Sequence, residues 1–148
     1  VCSSDLEKCT ELGVGRIFPL RTGRSVVDPG EEKLQRLRRT MIEACKQCGR
    51  NRLMRIEPTL DWSEAARRGA GGGFLDAQET AEEIRLQDPP PTWIAVGPEG
   101  GWTEEERDSA RAGGWRVVRF PGSILRIETA AVAAAAWGLL GQIGRAHV

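Results

Sequence analysis

The stretch from Trp93 to Trp137, WIAVGPEGGWTEEERDSARAGGWRVVRFPGSILRIETAAVAAAAW, sets the narrowest limits on what this chain can fold into. Trp93 to Val96 is a short apolar run, read as a buried strand, and it passes into a turn carrying Gly97, Gly100 and Gly101. Thr103 then stands at an N-cap, with Glu106 at capping-box spacing. Glu104, Glu105 and Glu106 fill the first helical turn, where the helix dipole favours negative charge. Gly113 and Gly114 end that helix, WRVVRF reads as the next strand, and after a loop from Pro121 to Arg126 an alanine-rich helix begins near Glu128. A strand, a helix, a strand and a further helix in this order predict a parallel sheet.

The preceding chain continues the alternation. Helical character from Glu7 to Leu12 stops at Gly13, VGRIFPL reads as a strand, and Asp28-Pro29-Gly30 closes a loop. From Glu31 to about Gly49 the residues Leu34, Leu37, Met41, Cys45 and Cys48 recur at three- and four-residue intervals and make the apolar face of an amphipathic helix. RLMRIEP is a strand closed by Pro58, and Leu60 to Arg68 a short helix carrying Trp62. Gly69 to Gly73 is flexible punctuation, FLDA a short strand, Glu79 to Leu86 a helical or irregular piece, and Asp88 to Pro91 a stiff approach to the next strand. The fold class is therefore α/β with a mostly parallel sheet, in one domain of 148 residues. Residues 1–6 and 143–148 fit none of the patterns beside them and read as non-native ends.

Charge adds a second constraint. The chain is neutral overall, yet eighteen of its twenty-one basic residues are arginine. Between Lys33 and Arg55 eight basic residues face one acid, Glu43, which points to a polyanionic partner. Arg36, Arg39, Lys46 and Arg50 fall on the face of the Glu31 helix opposite its apolar stripe. Cys2, Cys9, Cys45 and Cys48 read as reduced, with the last two packed in the core. No metal site is expected, because the single histidine, His147, stands at the far end of the chain. No apolar run approaches the roughly 20 residues of a membrane span, and the amino terminus lacks signal-peptide order, so a cytoplasmic protein is the expectation.

The glycine turn after Val96 lets backbone N–H groups approach a ligand at the carboxyl edge of a parallel sheet. It is not GxGxxG, it lacks the lysine and hydroxyl of a phosphate-cradling loop, and Glu99 would repel a phosphate. The loop FPGSILRIETA sets Ile124 and Leu125 beside Arg126 and Glu128. Those two charges are either a surface ion pair or a site.

GPEGGWTEEE, its spacing to ILRIETA, the earlier ELGVGRIFPL and the EACKQCGRNR stretch together resemble the RsmE family, the 16S ribosomal RNA uridine-N3 methyltransferases of the SPOUT class, over about Glu7 to Gln142. The resemblance implies an α/β knot, with the C-terminal part of the sheet threaded into a trefoil. It also implies S-adenosyl-L-methionine held by the loops Gly97 to Gly101 (with Glu99 and Gly100) and Gly122 to Arg126 (with Ile124 and Leu125), and by the region of Leu75, in a homodimer. The catalytic residues it implies are Arg126, to stabilise negative charge on the base, and Glu128 as its partner. Arg36, Arg39, Arg50 and Arg52 would track phosphates of 16S ribosomal RNA or the small ribosomal subunit. The family's amino-terminal β-barrel and the first strand of its knot domain have no counterpart in this sequence. Ser123 and Ile127 also depart from the family pattern. Three alternatives remain at this level: an inactive fragment, a non-catalytic RNA-binding module using the basic helix, and a ribose 2′-O methyltransferase.

Overall fold

A computed structural model describes residues 3–25, 29–49, 51–78, 80–85 and 87–145. The elements, in chain order, are α1 (Ser3–Glu11), β1 (Arg16–Ile17), β2 (Leu20–Arg21), α2 (Glu31–Cys48), β3 (Arg55–Ile56), β4 (Leu60–Asp61), α3 (Trp62–Arg68), β5 (Gly73–Leu75), β6 (Glu82–Glu83), β7 (Ile94–Val96), α4 (Glu104–Ala112), β8 (Arg116–Arg119) and α5 (Ile127–Arg145). Every registered strand pair is parallel. The main sheet has the order β6-β8-β5-β7, so β5 is flanked by the two strands that α4 connects.

The expected strand over VGRIFPL is two short pieces. β1 pairs with β3 at Arg16↔Arg55, and β2 pairs with β4 at Leu20↔Leu60, a shift of one residue between the two registers. The interruptions hold Pro19 on one side and Pro58 on the other. Proline has no N–H to give to a ladder, and the one-residue offset absorbs the break as a bulge.

α2 follows its sequence pattern closely: Leu34, Leu37, Met41, Ala44 and Cys45 are buried, and Gly49 in the left-handed region ends the helix with its N–H donated to the Cys45 carbonyl. Cys48, expected in the core, is exposed. Cys45, one turn earlier on the same stripe, is 2% exposed, so the apolar face of α2 is buried only as far as that residue. α1 itself starts at Ser3, earlier than expected, and Leu6 is among the most buried side chains of the molecule. Burial, with the nearby Asp5 carboxylate, raises the Cys9 thiol above its ordinary range.

Glu82–Glu83, expected in a helical or irregular piece, is an edge strand. It is drawn in by the ladder bond from Ile84 N–H to the Arg119 carbonyl (2.9 Å) and by ion pairs from Arg116 to Glu82 (3.4 Å) and Arg119 to Glu83 (3.5 Å). Pairing to β8 overrides a local composition that favours helix. In the Gly69–Gly73 run, expected to be flexible, Gly69, Gly72 and Gly73 are buried while Ala70 and Gly71 are exposed. A Cβ on Gly69 or Gly72 would come within 2.6 or 2.7 Å of the Trp115 ring, whose indole N–H donates to the Ala66 carbonyl at 2.9 Å.

The core has three parts. An aromatic cluster of Trp62, Phe74, Trp102 and Trp115 lies between the main sheet and the helices α3 and α4. Leu6, Leu34, Leu37, Met41, Met54 and Ile56 join α1, α2 and β3. Leu75, Val118, Ala134 and Trp137 pack α5 on the other side of the sheet.

α4 begins with the expected capping box: Glu106 N–H donates to the Thr103 hydroxyl (3.2 Å) and Thr103 N–H to Glu106 Oε2 (2.8 Å). The other carboxylate oxygen of Glu106 accepts from Gly23 N–H at 2.7 Å and so also holds the loop after β2. Thr103→Ala should therefore cost about 1 kcal/mol, the usual worth of a cap. Glu106→Ala should cost about 2 kcal/mol, because a second hydrogen bond to a charged group goes with it. Urea unfolding of the two variants measures the difference.

Candidate functional site

The carboxyl ends of β5, β7 and β8 meet a cavity of about 450 Å³, within the range of small-molecule sites. Three chain segments wall it: the residues following β5, the glycine turn after β7, and the loop from β8 into α5. In a parallel sheet this edge is where loops converge and ligands bind.

Of the residues singled out from the sequence, Leu75, Gly97, Glu99 and Gly101 line the cavity from the first two segments. Gly122, Ile124, Leu125, Arg126 and Glu128 line it from the third. Gly100 is not among the lining residues. Its carbonyl accepts from Arg24 Nη1 at 2.9 Å, and Arg24 packs over it. Among the described residues neither Arg126 nor Glu128 makes an ion pair or a side-chain hydrogen bond, so the alternative of a simple surface pair does not hold. Arg126 is exposed while its carbonyl accepts from Ala130 N–H at 2.8 Å, which fixes it just before α5. Glu128 sits in the first turn of that helix, where the dipole favours a negative charge.

One side chain that sequence reasoning left aside sets the position of the glycine turn. Trp102 is 1% exposed, its indole N–H donates to the Leu75 carbonyl at 2.7 Å, and its ring stacks on Phe74 at 4.2 Å. A Cβ on Gly97 would lie 2.7 Å from Trp102 Nε1, so only glycine lets the strand end pass over the indole. A buried ion pair makes the second tie. Arg107 of α4 donates from Nε to Asp76 Oδ2 at 2.6 Å and from Nη2 toward Oδ1 at 3.4 Å, with Glu104 on Nη1 at 2.7 Å. With its amide oxygen turned to the guanidinium, Gln78 accepts at 3.1 and 3.3 Å. The hydrogen bond to Asp76 holds the Arg107 pKa above its ordinary value against the opposing effect of burial. Asp76 lines the cavity. The sequence carried no signal for either tie, because the partners lie 27 and 31 residues apart.

The basic residues of α2 form a separate feature. Arg36 and Arg39 are exposed, as is Arg52, and among the described residues none of the three has a carboxylate partner. Arg38 pairs with Glu31 (3.0 Å) and Lys46 with Glu43 (2.9 Å), so the cationic face is narrower than the composition suggested. Arg50 lies outside the described residues. α2 packs on α1 and β3, whereas the cavity is built from the main sheet and its loops. Among the described residues no cluster of three His, Cys, Asp or Glu is placed to hold a metal, and no helix is long and apolar enough to cross a membrane.

Residues 4–138 match the RNA methyltransferase domain. The ribosomal RNA small subunit methyltransferase E of Synechocystis sp. is 31% identical, over 88% of this chain and 46% of that protein. The enzyme of the same name from Mesomycoplasma hyopneumoniae is 26% identical, over 86% of this chain and 59% of its own length. The chain thus spans about half the length of the curated relatives it matches. Among solved structures, the ribosomal RNA small subunit methyltransferase E of Neisseria gonorrhoeae bound to S-adenosyl methionine has a TM-score of 0.78 at 33% identity, covering 90% of this chain and 58% of that one. A methyltransferase from Legionella pneumophila in complex with the bound cofactor SAM has a TM-score of 0.77 at 28% identity, covering 95% and 60%.

Gly97→Ala should push the Trp102 indole off the Leu75 carbonyl and destabilise the fold by about 1–3 kcal/mol through overpacking. Gly100→Ala, which meets Arg24 at 3.2 Å, should be milder. Urea unfolding followed by tryptophan fluorescence separates the two.

Proposed function

The chain belongs to the RNA methyltransferase domain family, and on that premise we propose that it is the catalytic portion of an enzyme that moves a methyl group from S-adenosyl-L-methionine to N3 of a uridine in 16S ribosomal RNA. The observation that carries the reading is the convergence of the Gly97–Gly101 turn, the Gly122–Arg126 loop and Leu75 on one cavity at the carboxyl edge of the sheet.

The donors present fit this cofactor better than a nucleotide phosphate. Leu75, Val96, Ile124, Leu125, Ile127 and Ala130 give apolar walls, and Glu99 and Glu128 add negative charge, which suits a cationic sulfur and opposes a phosphate. When bound, S-adenosylmethionine supplies an activated methyl group on a positively charged sulfur. The protein must then position the base in line and favour the form of the imide nitrogen that has lost its proton. Arg126, exposed at the cavity and without a carboxylate partner among the described residues, stabilises negative charge on the base. Glu128 stands two residues on as proton acceptor, and Glu99 orients groups from the facing turn.

Several further features belong to the same reading. α5 presents a half-exposed, alanine-rich surface with Leu140 exposed, and a second copy of the chain covers it. The passage from β8 through the 120–126 loop into α5 is the segment that a trefoil knot would thread. Arg36, Arg39 and Arg52, with Arg50, contact phosphates of 16S ribosomal RNA within the small subunit, contacts that position without specifying sequence. Such a substrate places the protein in the cytoplasm.

Titration calorimetry with S-adenosylmethionine should give saturable one-site binding, and no heat at high protein concentration would remove the enzyme reading. Arg126→Ala should leave that binding within a few-fold while lowering methylation of undermethylated small subunits about 10²–10³-fold, in line with loss of one charge-stabilising group. Unchanged turnover would end the assignment of Arg126. Replacing Arg36, Arg39 and Arg52 together by alanine should flatten the salt dependence of RNA binding by about 2 to 3 in slope. An unaltered slope would return α2 to an ordinary solvated face.

A further inference from the structure

Two cavity residues outside the assignments above stand side by side. β5 and β8 are parallel with Leu75 opposite Val118, and Asp76 N–H continues the ladder to the Val118 carbonyl at 2.9 Å. One step beyond that pair come Asp76 and Arg119, on neighbouring strands and both lining the cavity. They are not paired to each other. Asp76 is held from outside by Arg107 of α4, and Arg119 by Glu83 of the edge strand β6.

Each keeps unused capacity. The Asp76 carboxylate offers about four acceptor positions, of which Arg107 and the Gln78 N–H (3.4 Å) take three. The Arg119 guanidinium has five N–H donors. Its Nη1 reaches Glu83 at 3.5 Å, its Nε is buried without a partner, and its side chain remains about a third exposed. Arg107 and Glu83 fix the two opposed charges at the cavity wall, and fixed polar groups of this kind give a pocket its orientation and specificity.

From this juxtaposition we propose that Asp76 and Arg119 form a subsite for an α-amino acid group, with Asp76 accepting from the ammonium and Arg119 donating to the carboxylate. An acceptor beside a donor matches a group that carries an ammonium and a carboxylate on one carbon. A ribose diol would engage the carboxylate alone. A phosphate would engage the arginine alone and be repelled by Asp76. The proposal rests on the reading of the cavity as a cofactor site, and it assigns the amino acid end of the methyl donor to this wall.

The test needs only the natural chain for its first arm. S-adenosylhomocysteine should bind at least about tenfold more tightly than 5′-methylthioadenosine, which keeps the nucleoside but lacks the amino acid group, in keeping with the loss of charged hydrogen bonds. Decarboxylated S-adenosylmethionine should be weakened to a similar degree relative to S-adenosylmethionine. In Arg119→Met the penalty for losing the carboxylate should disappear, with binding of 5′-methylthioadenosine unchanged. Asp76→Asn should weaken S-adenosylhomocysteine selectively. Near-ultraviolet circular dichroism checks its fold, since Arg107 then faces a neutral amide. If the natural chain binds S-adenosylmethionine and 5′-methylthioadenosine equally well, or if Arg119→Met weakens both alike, the subsite is overturned while the cofactor reading stands. Failure of the natural chain to bind any of these ligands overturns both.

Discussion

The hydrogen bond from the Trp102 indole to the Leu75 carbonyl is the constraint on which the cavity depends. It joins the end of the central strand β5 to the far side of the glycine turn after β7, two segments whose backbone pairing has already stopped at that edge. The indole is close to fully buried between Phe74 and Trp62, at centroid distances of 4.2 and 5.2 Å, so it cannot swing out to follow a moving loop. Gly97 passes over it without a Cβ. The Arg107–Asp76 pair, one turn into α4, adds a second tie from the helix that follows the turn to the same strand end. A buried pair of this kind adds more to uniqueness of position than to net stability, since desolvation offsets much of its attraction. Together the two ties turn a loop edge, which would otherwise be mobile, into a wall.

The molecule divides its tasks between two packing units that α5 spans. α1, α2 and β3 enclose one apolar cluster and carry the exposed arginines, while the main sheet encloses the others and carries the cavity. Ala135 of α5 packs against the first cluster, and Ala134 and Trp137 sit in the sheet cluster. The N-terminal turn of the same helix lines the cavity with Ile127 and Glu128. Small side chains make this span feasible, because they let the helix backbone approach both units closely. The element that positions the charged loop residues is therefore also the one that couples them to the arginine-bearing half.

Where sequence and structure part, the reason is distance along the chain. The periodicity of α2, the capping box of α4 and the glycine turn are local, and each stands where its residues predicted. β6 was not legible, because Ala81-Glu82-Glu83 favours a helix and becomes a strand through its bonds to β8, more than thirty residues on. Cys48 continues the apolar spacing of α2, but it is exposed in the last turn, where spacing alone does not say what packs against the helix. The glycines from Gly69 to Gly73 looked like flexible punctuation, and only Trp115, packed against two of them, explains their lack of side chains.

The sequence by itself determined the class of the fold and pointed to the two loops that line the cavity, because strand and helix periods, caps and glycine turns act over a few residues, and because its separated motifs carried a family resemblance. Tertiary structure decided that the two loops share one cavity with Leu75, and it added Trp102, Asp76, Arg107 and Arg119 to that cavity and its frame. These are single polar or aromatic side chains, and the contacts that join one strand or loop to another, Trp102 to Leu75, Arg107 to Asp76 and Arg119 to Glu83, span 27 or more residues. Nothing in their own neighbourhood distinguishes a buried tie from a surface charge; parallel pairing of β5, β7 and β8 does.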